Sequence, residues 1–135
     1  CMILHLVFFK FIEPYQWGDE EVMDAEIITR QHPLNIDEIR GWACGRNISE
    51  RAQAMDFVVM GLFEDHAHLS AYLIHPDHMC GVHKWRRIAT WSVVDIEVDS
   101  QTSSFAGLLA GGVGGQIKQW DILKSRQVQG ETHEV

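Results

Sequence analysis

The chain has 135 residues, 46% hydrophobic and 22% charged, the size and balance of one folded domain, which excludes disordered and collagen-like chains. Nineteen acidic residues against eleven basic ones give a net charge of −8, so no nucleic acid partner is expected. No apolar run approaches the roughly eighteen residues of a membrane span, and no membrane partner is expected either.

Residues 2–11, MILHLVFFKF, read as a strand apolar on both faces, with Ile3, His5, Val7, Phe9 and Phe11 on one and Met2, Leu4, Leu6, Phe8 and Lys10 on the other. In so small a domain a strand covered twice implies its own helices on one side and a partner subunit on the other. Residues 18–32 read as a helix with Asp19, Glu20 and Glu21 at its positive end, stopped at His32-Pro33 because proline disfavours helix in the residue before it. Residues 38–48 read as a strand bent at Gly41 or Gly45, and residues 55–63 as a further strand. Glu64 to Trp85 reads as helix broken at His75-Pro76-Asp77-His78, a second helix opening at Pro76 where proline is comfortable. Residues 88–98 form the last strand.

The order is βαββαβ. It predicts an α+β, ferredoxin-like domain over residues 2–98, with one antiparallel sheet and helices on one face. The other face is apolar, and a homodimer packed sheet against sheet is the expected cover. Residues 99–135 read as a C-terminal extension. Residues 99–104 are polar, 106–115 form a flexible connector with five glycines, and 116–128 form a short helix carrying Ile117, Trp120, Leu123 and Val128, expected to dock as an arm. Cys1, Cys44 and Cys80 form no CxxC pair and are odd in number. With no basic leader or small-residue cleavage site at the N-terminus, a reducing, cytoplasmic setting is expected.

The chain holds eight histidines, and His66, His68, His75, His78 and His83 fall in one short stretch. Their spacings do not make the paired ligand pattern of zinc sites, and no metal is expected. Acid–base work is the stronger reading, since imidazole moves protons near neutral pH without a cofactor. Tyr72 on the first half of the broken helix and His78 just past the break can face one cavity, the phenol donating to a carbonyl oxygen and the imidazole removing an adjacent carbon-bound proton. His5 in its apolar strand needs a partner or a wet pocket. His66, His68 and His83 are expected to be solvated.

MILHLVFFKF, GRNISER and DFVVMGLFEDHAHLSAYLIHPDH leading into VVDIEV carry a resemblance to the stress-responsive dimeric α/β-barrel family, often called Dabb. AYLIHPDH is its most specific part, a Tyr shortly ahead of an HPxH element. The resemblance covers residues 2–98 and implies two ferredoxin-like subunits joined into a barrel. It also implies, by likeness to a plant member, a polyketide cyclase acting by aldol condensation, with His78 as base, Tyr72 as its partner and His5 on the first strand of the pocket. Phe57 stands where that cyclase has a further histidine, which implies a different ligand shape. Phe57, Val59, Leu69 and Trp85 are the expected walls, with His75 beside the substrate or capping its helix. No cofactor is expected. The substrate is expected to be small, apolar and polyketide-like, the product of a polyketide synthase. Two other classes stay open, a cofactor-poor oxygenase of quinol-like aromatics and a non-catalytic small-molecule-binding or stress-response dimer.

Overall fold

A computed structural model describes residues 1–111. The elements run β1 (Ile3–Phe11), α1 (Glu20–Asn35), β2 (Gly41–Arg46), β3 (Phe57–Phe63), α2 (His66–Leu73), α3 (Pro76–Ile88), β4 (Ala89–Glu97) and α4 (Ser103–Gly111). The strands form one antiparallel sheet in the order β2-β3-β1-β4. Up to β4 this is the α+β, ferredoxin-like order expected of the sequence.

Alternation along β1 sorts the two faces. Ile3, His5, Val7 and Phe9 turn towards α1, α2 and α3, where they meet Phe57, Val59 and Phe63 of β3. The core there is largely aromatic. Trp85 of α3 stacks on Phe9 at 4.1 Å and on Phe57 at 5.5 Å, and its indole N–H donates to Thr29 Oγ1 at 2.7 Å. Buried Glu26 of α1 is satisfied by Arg30 and Arg46, so the charge it carries is paired rather than orphaned.

Two expectations are corrected. Helix α1 does not stop at His32-Pro33 but runs on to Asn35 with Pro33 inside it. The lost backbone bond falls in the final turn, where few bonds remain to be broken. That turn is held by packing: Ile36 is fully buried, its N–H donates to the His32 carbonyl, and the His32 side chain is tied to α3. The second correction concerns residues 106–115. As far as Gly111 they are not a connector but most of α4, which lies on the outer face of the sheet. Ala106 and Leu109 pack there against Leu4 and Leu62, with Met60, Ile96 and Val98 around them. The glycines that suggested a linker fall on the exposed side of this helix at Gly107 and Gly111. The expected helix at 116–128 lies outside the described residues. Among the described residues no helix is long and apolar enough to cross a membrane.

Candidate active site

Between the inner face of the sheet and the helices lies a cavity of about 520 Å³, mouth included. His5, Val7, Phe9, Trp42, Val59, Trp91 and Val93 line it from the strands. Thr29, His32, Tyr72, Leu73, His78, Gly81, Val82 and Trp85 line it from the helices.

The break between α2 and α3 sets the chemistry. His75 caps α3 by accepting the Asp77 N–H on Nδ1 at 3.1 Å, and Pro76 opens the helix, which places His78 in the first turn. The carbonyl of Leu73 at the end of α2 has no helical partner to accept from, and His78 Nδ1–H donates to it at 2.9 Å. A carbonyl can only accept, so this bond puts the ring proton on Nδ1 and the lone pair on Nε2. Burial pulls the His78 pKa down to about 4, opposed by the Leu73 carbonyl and reinforced by His32, His5 and His75. At neutral pH His78 is therefore an uncharged base.

The Tyr72 ring lies 4.3 Å from that of His78 and 5.8 Å from that of His5, centroid to centroid. Burial, helped by the nearby Cys44 thiol, pushes the phenol well above its ordinary range, so it stays protonated and donates. Cross-strand register sets His5 directly opposite Asp95, and the His5 Nδ1–H donates to that carboxylate at 2.5 Å. His32 makes the same kind of bond to Asp77 at 2.8 Å. Burial lowers the His32 pKa, against the raising effect of Asp77. Trp42 Nε1 is the one partnerless side-chain polar atom sealed from open space among the described residues. Tyr72 Oη and the Nε2 atoms of His5, His32 and His78 make no side-chain hydrogen bond among the described residues, and all four side chains line the cavity.

The sequence pattern of the Stress responsive A/B Barrel Domain, Dabb, matches residues 3–98. The chain belongs to the Dabb family. A relative from Streptomyces coelicolor, an uncharacterized protein, is 38% identical over 96 residues, which are 71% of this chain and 99% of that protein. Among solved structures, a dimeric ferredoxin-like protein of unknown function from Thermobifida fusca aligns with a TM-score of 0.64 at 20% identity, over 72% of this chain and 91% of that one. A Dabb protein from Mesorhizobium loti aligns at 0.62 and 22%, over 73% and 98%. The hydroxynitrile lyase of Passiflora edulis aligns at 0.64 and 12%, over 73% and 94%. At these identities the structures share the fold.

In this Dabb domain His5, Tyr72, His78, Val59 and Trp85 come together at the cavity. Three expected members do not reach it. Phe57 is buried behind the wall, stacked on Trp85 with the Arg30 guanidinium 5.5 Å from its ring centre. Leu69 is a core residue of α2, and His75 is spent on its cap. His66 and His83 are exposed, and His68 is half-buried and paired with Asp65 at 2.6 Å. Among the described residues no three His, Cys, Asp or Glu side chains are grouped to hold a metal ion. Sequence reasoning missed His32, Asp77 and Asp95. His32 read as a helix terminator beside Pro33, and Asp77 as the variable position of HPxH. Asp95 emerges only once the β1–β4 register is known.

Proposed function

We propose that the cavity is the active site of a cofactor-independent enzyme that joins carbon to carbon within a polyketide-like substrate. The observation that carries this reading is the closeness of the His78 and Tyr72 rings, 4.3 Å apart, a base beside a donor, over apolar walls. His78 takes a proton from a carbon between two carbonyls. The freed electron pair is held as enolate by the Tyr72 O–H and attacks a distant carbonyl carbon of the same chain. The new alkoxide takes a proton back through Tyr72 from the His78 imidazolium, and the ring then loses water. His5, held by Asp95, orients the substrate. The walls bend the chain so that the reacting carbons meet, a positioning effect comparable in weight to the proton transfer. A synthase of linear poly-β-carbonyl chains supplies such a substrate. That a hydroxynitrile lyase has this fold supports a catalytic use of the scaffold.

The functional unit in this reading is a homodimer. The similar protein from T. fusca is dimeric, and among the described residues the outer sheet face here presents apolar Leu6, Phe8, Val58 and Val94 beside α4. The test is incubation with a linear methyl tetraketone, followed by mass spectrometry and an oxygen electrode. Loss of water without oxygen uptake is expected. Oxygen incorporation would move the protein to the oxygenases, and binding without conversion to the small-molecule-binding dimers.

A further inference from the structure

The reaction above uses one lone pair, that of His78, yet the cavity holds three. His5, His32 and His78 each spend Nδ1–H on a group that only accepts, namely Asp95, Asp77 and the Leu73 carbonyl. In their neutral forms all three present Nε2 as an acceptor, and none has a protein partner there among the described residues. His32 is the member with no task so far. It is 3% exposed, its ring stands 5.9 Å from that of His78 and 6.4 Å from that of Tyr72, and Gly81 makes the room it needs. A Cβ on Gly81 would sit 3.0 Å from His32 Nε2.

Against these three acceptors the Tyr72 hydroxyl is the donor that opens onto the cavity. Among the described residues no Lys or Arg lines it, and Arg30 and Arg46 are committed to Glu26. A carboxylate or phosphate on a ligand would be desolvated there with no counter-charge. The walls are aromatic and planar, with Trp42, Trp85 and Trp91 around the space.

We propose that His32, locked by Asp77, contacts the ligand, and that with His5 and His78 it makes the cavity select an uncharged, planar molecule bearing several hydroxyl hydrogens, such as a polyhydroxylated aromatic ring or an enolised polycarbonyl. This rests on the site of the proposed function but not on its turnover. It also gives His32 a positioning task in that reaction, since it holds an enol hydroxyl of the substrate while His78 works.

The experiment uses the full chain at about pH 8, above the ordinary histidine range, with resorcinol, resorcinol dimethyl ether and benzoate titrated by calorimetry. Resorcinol is expected to bind about tenfold more tightly than its dimethyl ether, because the ether brings no hydrogen to the Nε2 acceptors, and more tightly than benzoate. His32→Leu is expected to cut the resorcinol-to-ether ratio about fivefold. Nitrogen-15 NMR of the unaltered protein provides a readout that needs no variant: His32 Nε2 is expected to be unprotonated and to shift on adding resorcinol but not the ether. Equal binding of ether and resorcinol, tighter binding of benzoate, binding of none at millimolar concentration, or a proton on His32 Nε2 would each overturn the inference. Hydroxyl selectivity without tetraketone conversion would overturn the proposed reaction alone.

Discussion

In the proposed reaction His78 works only while neutral, and the burial that lowers its pKa to about 4 keeps it so across the physiological range. The proton-removal step is therefore expected to be level from neutral pH downward and to fall about tenfold per unit only below about pH 4, read as a kcat/KM profile. The same shift acts on stability. Below the ordinary 6.5 the unfolded chain binds a proton at this residue that the native state refuses, so stability held above 6.5 is lost as pH falls towards 4. Between pH 7 and pH 5 the loss is expected to be about 1 kcal/mol, less than about 1.4 kcal/mol per unit would give because His78 is only partly buried and solvent screens it, and His32 adds to the loss in the same direction. Urea titrations at pH 7 and pH 5 measure it. His78→Ala is expected to slow turnover by about 10²–10⁴-fold with the fold intact, and Tyr72→Phe by less, because a phenyl ring keeps the packing and loses only the donor. That Tyr72 and His78 face one cavity was legible in the sequence because a helix break beside proline fixes where the next turn begins, and with it His78. The carboxylates behind His5 and His32 were not, since both pairings join residues far apart in the chain and depend on strand register or helix–helix packing.

Helix α4 is the element the sequence misrepresented. Glycine count favoured a connector, yet one side of the segment places Ala106 and Leu109 on the sheet, and tertiary burial outweighed the weak intrinsic preference of glycine. The contact is close enough to demand glycine on the other side as well. A Cβ on Gly41 would lie 2.9 Å from the Leu109 backbone carbon, where nothing flexible can yield. Gly41→Ala is expected to cost about 1–3 kcal/mol and Leu109→Ala about 2–3 kcal/mol in urea unfolding. Both should leave the cavity unaffected, because α4 packs on the opposite face of the sheet. Binding of resorcinol by the two variants checks that separation, and a loss of binding on Leu109→Ala would mean that the two faces communicate. The core elements of βαββαβ were readable throughout, because strand alternation and the proline at α3 are local signals. The length of α1 was not, because its last turn is held by a bond to α3 that no local pattern announces.

At the scale of the molecule the sheet is apolar on both sides but covered on one and part of the other. The helices hide the inner face, and α4 hides the end around Gly41, Leu62 and Leu4. Leu6, Phe8 and Val58 are left half-buried, Val94 is 46% exposed, and Phe105 and Leu108 of α4 add 40% and 72% exposed apolar side chains. Exposed apolar side chains on a sheet face mark a candidate interface, and a stable two-fold dimer needs about 800 Å² from each partner. Sedimentation at micromolar concentration is expected to give a dimer. Replacing Leu6 and Phe8 together by Asp puts two charges into the patch and should give a folded monomer, because neither side chain belongs to the inner core. Alternation along β1 makes the outcome specific: His5, Val7 and Phe9 point the other way, so the monomer should retain the Nε2 acceptors and resorcinol affinity within about threefold. A native chain that sediments as a monomer, or a doubly charged variant that remains dimeric, would place the interface elsewhere. A monomer that has lost the ligand would show that the partner subunit closes the cavity mouth beside Val93, where β4 is one of the two edge strands of the sheet among the described residues.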